Sequence, residues 1–169
     1  LVVLRDSPAK AAALLAGRVD AATLEYIDYE RLRAEEPRTT LVARQVDVFP
    51  PFPPQVWAVS SKWAEDHRAL LQPLVEGMLT GYESLYSADG KTAWEEEARR
   101  IGEGTEPALL QKAFDYYREV DYWPRRDAIY SPAAHDRAMN AYLETGGLEK
   151  SEPYDRVWDA SFWREAARR

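Results

Sequence analysis

Two regimes of hydrophobic patterning divide this chain at about residue 60. Before it, short apolar runs alternate with charged stretches; after it, apolar positions recur at helical spacing almost to the last residue. Leu1 to Leu4 is a wholly apolar run of the kind found in strands buried on both faces. Ser7 is placed to cap a helix with Pro8 at its first position, and Ala9 to Ala16 form a small-residue helix ending at Gly17. Val19 to Leu24 predicts a second buried strand. Tyr26 to Glu36 carries helical charges and stops at Pro37, and Thr39 to Phe49 predicts a third strand with Val42, Val46 and Val48 at period two. Strand, short helix and strand in succession imply a right-handed parallel crossover. Residues 1–48 are therefore expected to form an α/β lobe.

The segment Phe49-Pro50-Pro51-Phe52-Pro53-Pro54 cannot donate to a ladder at its prolines and reads as a stiff, extended connector. A strand over Gln55 to Ser60 follows it, so residues 49–60 are expected to be a hinge crossing and strand. In residues 61–169, Leu70, Leu71, Leu74, Val75, Met78, Leu79, Tyr82, Leu85 and Tyr86 define a wide apolar helical stripe. Pro73 sets the expected start of that helix near Leu70. Thr92 and Glu95 make a capping-box pair, Thr105 can cap a helix over Leu109 to Val120, and Ser131-Pro132 opens one that stops at Gly146-Gly147. The tail carries Val157, Trp158, Phe162, Trp163 and Ala166 on one side. So many amphipathic helices after so few strands must bury their stripes either on each other or on a sheet outside this chain.

Charge narrows the partners. A formal net charge of −7 over scattered Lys and Arg would be repelled by a phosphate backbone, which argues against nucleic acid. No apolar run approaches the roughly 20 residues that cross a bilayer. The absence of Cys removes disulfides, thiolate nucleophiles and Cys-ligated metals. His67 and His135 lie in no ligand-spaced motif and read as surface or cap residues. Glu95-Glu96-Glu97 point to different helix faces and cannot converge on a metal, and Gly102-Glu103-Gly104 lacks the third glycine of a dinucleotide fingerprint. No Gly-x-Ser-x-Gly elbow or phosphate-binding loop occurs. No cofactor and no catalytic residue is expected.

The run Ser7-Pro8-Ala9-Lys10-Ala11-Ala12-Ala13-Leu14-Leu15-Ala16-Gly17-Arg18-Val19-Asp20-Ala21-Ala22 resembles a signature of type II periplasmic solute-binding proteins. It is similar to the nitrate/sulfonate/taurine and thiamine-pyrimidine (NMT1/THI5-like) branch. Val56 to Ala64, and Ala138 to Leu148 followed by Tyr154 to Trp158, resemble later parts of the same pattern. The resemblance implies a partial periplasmic-binding-protein type II fold: α/β, with a small, mainly parallel sheet followed by a largely helical region. It also implies that the chain starts within the second lobe, with an N-terminal lobe or partner chain supplying the rest of a cleft.

By that resemblance the chain is the extracytoplasmic, substrate-binding component of an ABC importer, working with a transporter permease. Tyr29 and Glu30 stand where the pyrimidine-precursor binders carry an aromatic residue and a Glu, implying a small flat nitrogen heterocycle as ligand. A carboxylate can accept from an exocyclic amine and an adjacent ring N–H together. Glu30 reads equally as a solvated helix residue, and Glu25 is the rival carboxylate. Tyr26, Tyr29, Phe49, Phe52 and Trp57 cluster around the predicted strand ends, where rings stack on a ligand or pack between lobes. Ser7 is either a cap or a ligand contact at a strand–helix junction. The alternatives are a receptor for a sulfonate, nitrate or other small anion, an enzyme similar to the pyrimidine synthases but without their Cys-rich segment, and a helical interaction module.

Overall fold

The computed structural model describes residues 3–48, 56–101 and 106–168. Among the described residues, ten helices follow one another along the chain: α1 (Ser7–Leu15), α2 (Tyr26–Glu35), α3 (Gln45–Val48), α4 (Ser61–Asp66), α5 (Arg68–Leu85), α6 (Gly90–Ile101), α7 (Pro107–Glu119), α8 (Pro132–Glu144), α9 (Tyr154–Val157) and α10 (Ser161–Ala166). Two units emerge. Unit 1 comprises Leu1–Val42 and Ala88–Tyr122, and unit 2 comprises Ala43–Ser87 and Trp123–Arg169.

Among the described residues there is no β-strand, which overturns the expected α/β lobe and the partial periplasmic-binding-protein sheet. The predicted strands do stay largely out of helix. Val3-Leu4, Asp20 to Leu24, Thr39 to Arg44 and Val56 to Ser60 are non-helical, as apolar and β-branched composition favours. What they lack is a ladder. A strand is defined by a neighbour about 4.8 Å away that exchanges hydrogen bonds with it, and none of these segments finds one among the described residues. Their side chains accordingly stand in the open, Val3 at 90%, Val42 at 89% and Trp57 at 78% exposure. The last part of the third predicted strand is instead the single turn α3, closed by Arg44 gripping both oxygens of Asp47 at 2.8 and 3.0 Å. The proposed hinge, Phe49 to Pro54, lies outside the described residues.

Unit 1 pairs α1 with α2, α2 with α7, and α6 with α7. Asp6, not Ser7, caps α1, its carboxylate accepting the Ala9 N–H at 2.9 Å. The end of α1 is as read: Gly17 at φ +64° lets the Gly17 and Arg18 N–H groups return to Leu14 and Ala13 carbonyls, a Schellman stop. Ala13, Leu32, Leu110, Ala113 and Phe114 form its core, with Trp94 tilted against Phe114 at 5.6 Å. The capping box over Thr92 is not used, because α6 already begins at Gly90. Glu95 is buried and pairs with Arg99 one turn on, at 3.0 Å.

Unit 2 is organised by α5, which packs along α10 and receives α4, while α8 receives α9. Helix α5 starts two residues before the predicted Leu70, and Pro73 is accommodated in its second turn. Leu71, Leu79, Phe162 and Ala166 are buried. Arg68 lies over the Phe162 ring at 4.4 Å, and the Gln72 amide donates to the Phe162 carbonyl at 3.2 Å. Ser131 caps α8 as predicted, and Gly146 at φ +72° ends it. His135 is not a surface residue: it is buried, with Nε2 2.8 Å from the Glu152 carbonyl oxygen.

Candidate functional site: a tyrosine and carboxylate cluster in unit 1

Of the sequence-predicted site residues, Tyr26, Tyr29 and Glu30 come together in unit 1, on the side of α2 that meets α7. Helical geometry puts Tyr26, Tyr29 and Glu30 on one face of α2, since residues three and four apart are neighbours. On α7 the same rule aligns Lys112 with Tyr116 and Ala113 with Tyr117. The two faces meet with Tyr26 stacked on Tyr116, ring centroids 3.9 Å apart and planes 5° apart. Tyr29 tilts against Tyr26 at 6.4 Å. Tyr117 meets Tyr26 edge-on at 6.4 Å and Tyr122 at 4.6 Å, so five tyrosines form a continuous cluster.

Carboxylates surround it. The Glu30 side chain is only 9% exposed and is held by Lys112 Nζ at 3.1 Å. Burial, followed by the neighbouring Glu30 charge, pushes the Tyr26 phenol up to about 12. Tyr117 rises to about 12 as well, first through burial and then through Tyr122, Glu25, Tyr116 and Asp28. Both shifts express one fact: a negative charge on either ring would be desolvated beside existing negative charge. The cluster is thus hydrophobic on its ring faces and electronegative at its edges, a combination that disfavours anions and suits planar or cationic groups.

The remaining predicted residues divide. Glu25 is exposed at the N-cap of α2 without a side-chain capping bond. Its backbone N–H donates to Ser7 Oγ at 2.9 Å, so Ser7 fastens the start of α2 to the start of α1. Trp57 belongs to unit 2 and is largely exposed. Phe52 lies outside the described residues. Lys112, Tyr116 and Tyr117 on α7 are site residues that the sequence analysis does not single out. The four-residue step from Lys112 to Tyr116, matching that from Tyr26 to Glu30, was the available signal.

Two concavities lie away from this cluster and carry less chemistry. One of about 520 Å³ in unit 1 lies over the alanine face of α1, lined by Ala9, Ala12, Ala13 and Ala16 with Leu4, Val19 and Arg18. The other, about 690 Å³ in unit 2, is lined in part by Glu83, Tyr86, Arg125 and Arg126. There Arg126 forks onto Glu83 at 2.8 Å to each oxygen and donates to the Ala166 carbonyl at 2.6 Å, while Arg125 lies 3.9 Å over the Tyr86 ring. Its cations are already engaged by the protein. No group of three or more His, Asp or Glu among the described residues is arranged to hold a metal ion, and no described helix is long and apolar enough to cross a membrane.

Comparison with known proteins adds no analogue. No protein-family model, curated protein or solved structure matches the chain. The functional reading therefore rests on the cluster itself and on the sequence resemblance.

Proposed function

We propose that this chain is a small-molecule-binding module, the extracytoplasmic solute-capturing component of an ABC importer, and that its ligand is a flat nitrogen heterocycle of the aminopyrimidine type. The observation that carries this reading is the tyrosine cluster edged by Glu25, Asp28 and Glu30. Ring faces offer stacking, worth about 0.5–1.5 kcal/mol per contact beyond burial, and carboxylates accept from an exocyclic amine and a ring N–H. With Asp28 held by Arg31 at 3.3 Å and Glu30 by Lys112 at 3.1 Å, Glu25 still leaves the acids in excess, which favours such a ligand over a sulfonate or nitrate. With no sheet among the described residues, recognition is assigned to the helix faces of α2 and α7 in place of a sheet rim.

The test is a thermal-shift and calorimetric screen of the chain against aminopyrimidines, taurine, nitrate and amino acids. A ligand present at 100 times its Kd adds about 2.7 kcal/mol, on the order of 10 °C in a unit of this size. Aminopyrimidine stabilisation that disappears in Glu25→Gln or Glu30→Gln is the expected result. Silence across the screen, or stabilisation by taurine or nitrate alone, sinks the assignment.

A further inference from the structure

The Glu30–Lys112 pair is lopsided. The Glu30 side chain is 9% exposed, whereas that of Lys112 is 63% exposed. The carboxylate belongs to α2, one turn after Tyr26, whose ring stacks on Tyr116. The ammonium reaches it at 3.1 Å on a flexible four-carbon stem that runs through solvent. A carboxylate with little solvent contact needs a cation beside it. A lysine held by one end loses rotamer freedom in supplying that cation, so the cap is readily exchanged. By contrast Lys91 caps Asp115 with both side chains well exposed, at 37% and 64%, and no buried charge depends on that pair.

We propose that Lys112 is a tethered stand-in for a ligand's cation: a flat, positively charged nitrogen heterocycle displaces the ammonium from Glu30 and lays its ring against the Tyr26, Tyr29 and Tyr116 rings. The inference rests on the tyrosine–carboxylate cluster being the recognition site, and it deepens that reading by giving the ligand a charge and the site an internal competitor. A ring carrying the charge gains twice, from the carboxylate and from the aromatic faces. The lysine gains only the first.

The experiment compares wild type, Lys112→Met, Lys112→Gln and the double variant Glu30→Gln/Lys112→Met in thermal melts. The probes are 4-aminopyridine, a planar monocation at pH 7, and methylammonium, a cation without a ring, with sodium chloride matching ionic strength. The Met and Gln variants should melt below wild type. 4-Aminopyridinium should stabilise them at about three- to tenfold lower concentration than wild type, methylammonium should do so less well, and the double variant should gain nothing. Lys112→Gln, which keeps a polar stem, covers the case in which Lys112→Met does not fold. Equal responses in wild type and the lysine variants, equal rescue by methylammonium, or rescue of the double variant would each overturn the proposal. If the aminopyrimidine screen fails on wild type while 4-aminopyridinium rescues the lysine variants, the importer reading falls and the competitor stands. If wild type binds aminopyrimidines and the variants show no gain, the competitor alone falls.

Discussion

The contact between Tyr26 and Tyr116 decides whether the candidate site is an energetic unit or a coincidence of proximity, and a double-mutant cycle can measure it. The perturbation is Tyr26→Leu, Tyr116→Leu and the pair together, each keeping an apolar side chain in place of a ring. At 3.9 Å and 5° the rings are stacked, and such pairs contribute about 0.5–1.5 kcal/mol beyond the area they bury. Tyr26→Leu alone also takes a phenol away from the neighbourhood of the Glu30 carboxylate, with an effect of its own on stability. The cycle subtracts that term, because Tyr116→Leu leaves it untouched. With a urea slope of about 1–3 kcal/mol per molar, a coupling of about 1 kcal/mol appears as a non-additive midpoint change of about 0.3–1 M. Trp94 is the only tryptophan of unit 1. Its 5-fluorotryptophan resonance therefore follows this unit without interference from the five indoles of unit 2. It touches Tyr117 and Phe114, so neither substitution removes the reporter. A coupling energy below about 0.3 kcal/mol, the additivity of unrelated sites, would refute the stacking argument.

Two further outcomes follow from the same geometry. Tyr26 and Tyr117 hold their protons to about pH 12 in the folded chain, against an unperturbed value near 10. Below pH 10 both states are protonated and the contribution to stability is fully present; between about 10 and 12 the unfolded chain loses protons that the folded chain keeps, so stability falls as pH rises. Both rings are partly exposed, so solvent screening holds the loss below the two-proton limit. Spectrophotometric titration at 295 nm of wild type beside Tyr26→Phe and Tyr117→Phe should assign a late-titrating component to each ring, and a normal midpoint for both would contradict the buried electronegative cluster. Gly17→Ala places a Cβ at φ +64°, where L-residues lose about 1–2 kcal/mol. With open space around that Cβ, the whole effect should be backbone strain at the end of α1. An unchanged urea midpoint for unit 1 would show that the left-handed stop is not needed.

Local signals in the sequence were the ones that survived into the structure. Ser131 before Pro132, the glycines after α1 and α8, and Pro37 after α2 mark helix ends through bonds that span only three to five residues, and each lies where it was read. Of the predicted α5 stripe, Leu71 and Leu79 are buried, whereas Leu70 and Leu74 stand exposed at 58% and 47%. Among the described residues, even the strand-like runs kept out of helix, apart from Gln45 to Val48, because β-branched residues oppose helix locally.

What the sequence by itself determined, then, was where the backbone turns, which face of each helix is apolar, and that the chain is acidic and free of Cys. Only the tertiary structure decided that the extended runs find no ladder among the described residues, since pairing depends on a second segment and not on the composition of the first. It also decided that Tyr26 stacks on Tyr116 and that Lys112 reaches Glu30, contacts separated by 90 and 82 residues of chain. Side-chain period tells a residue which way to face; it does not say what will be there.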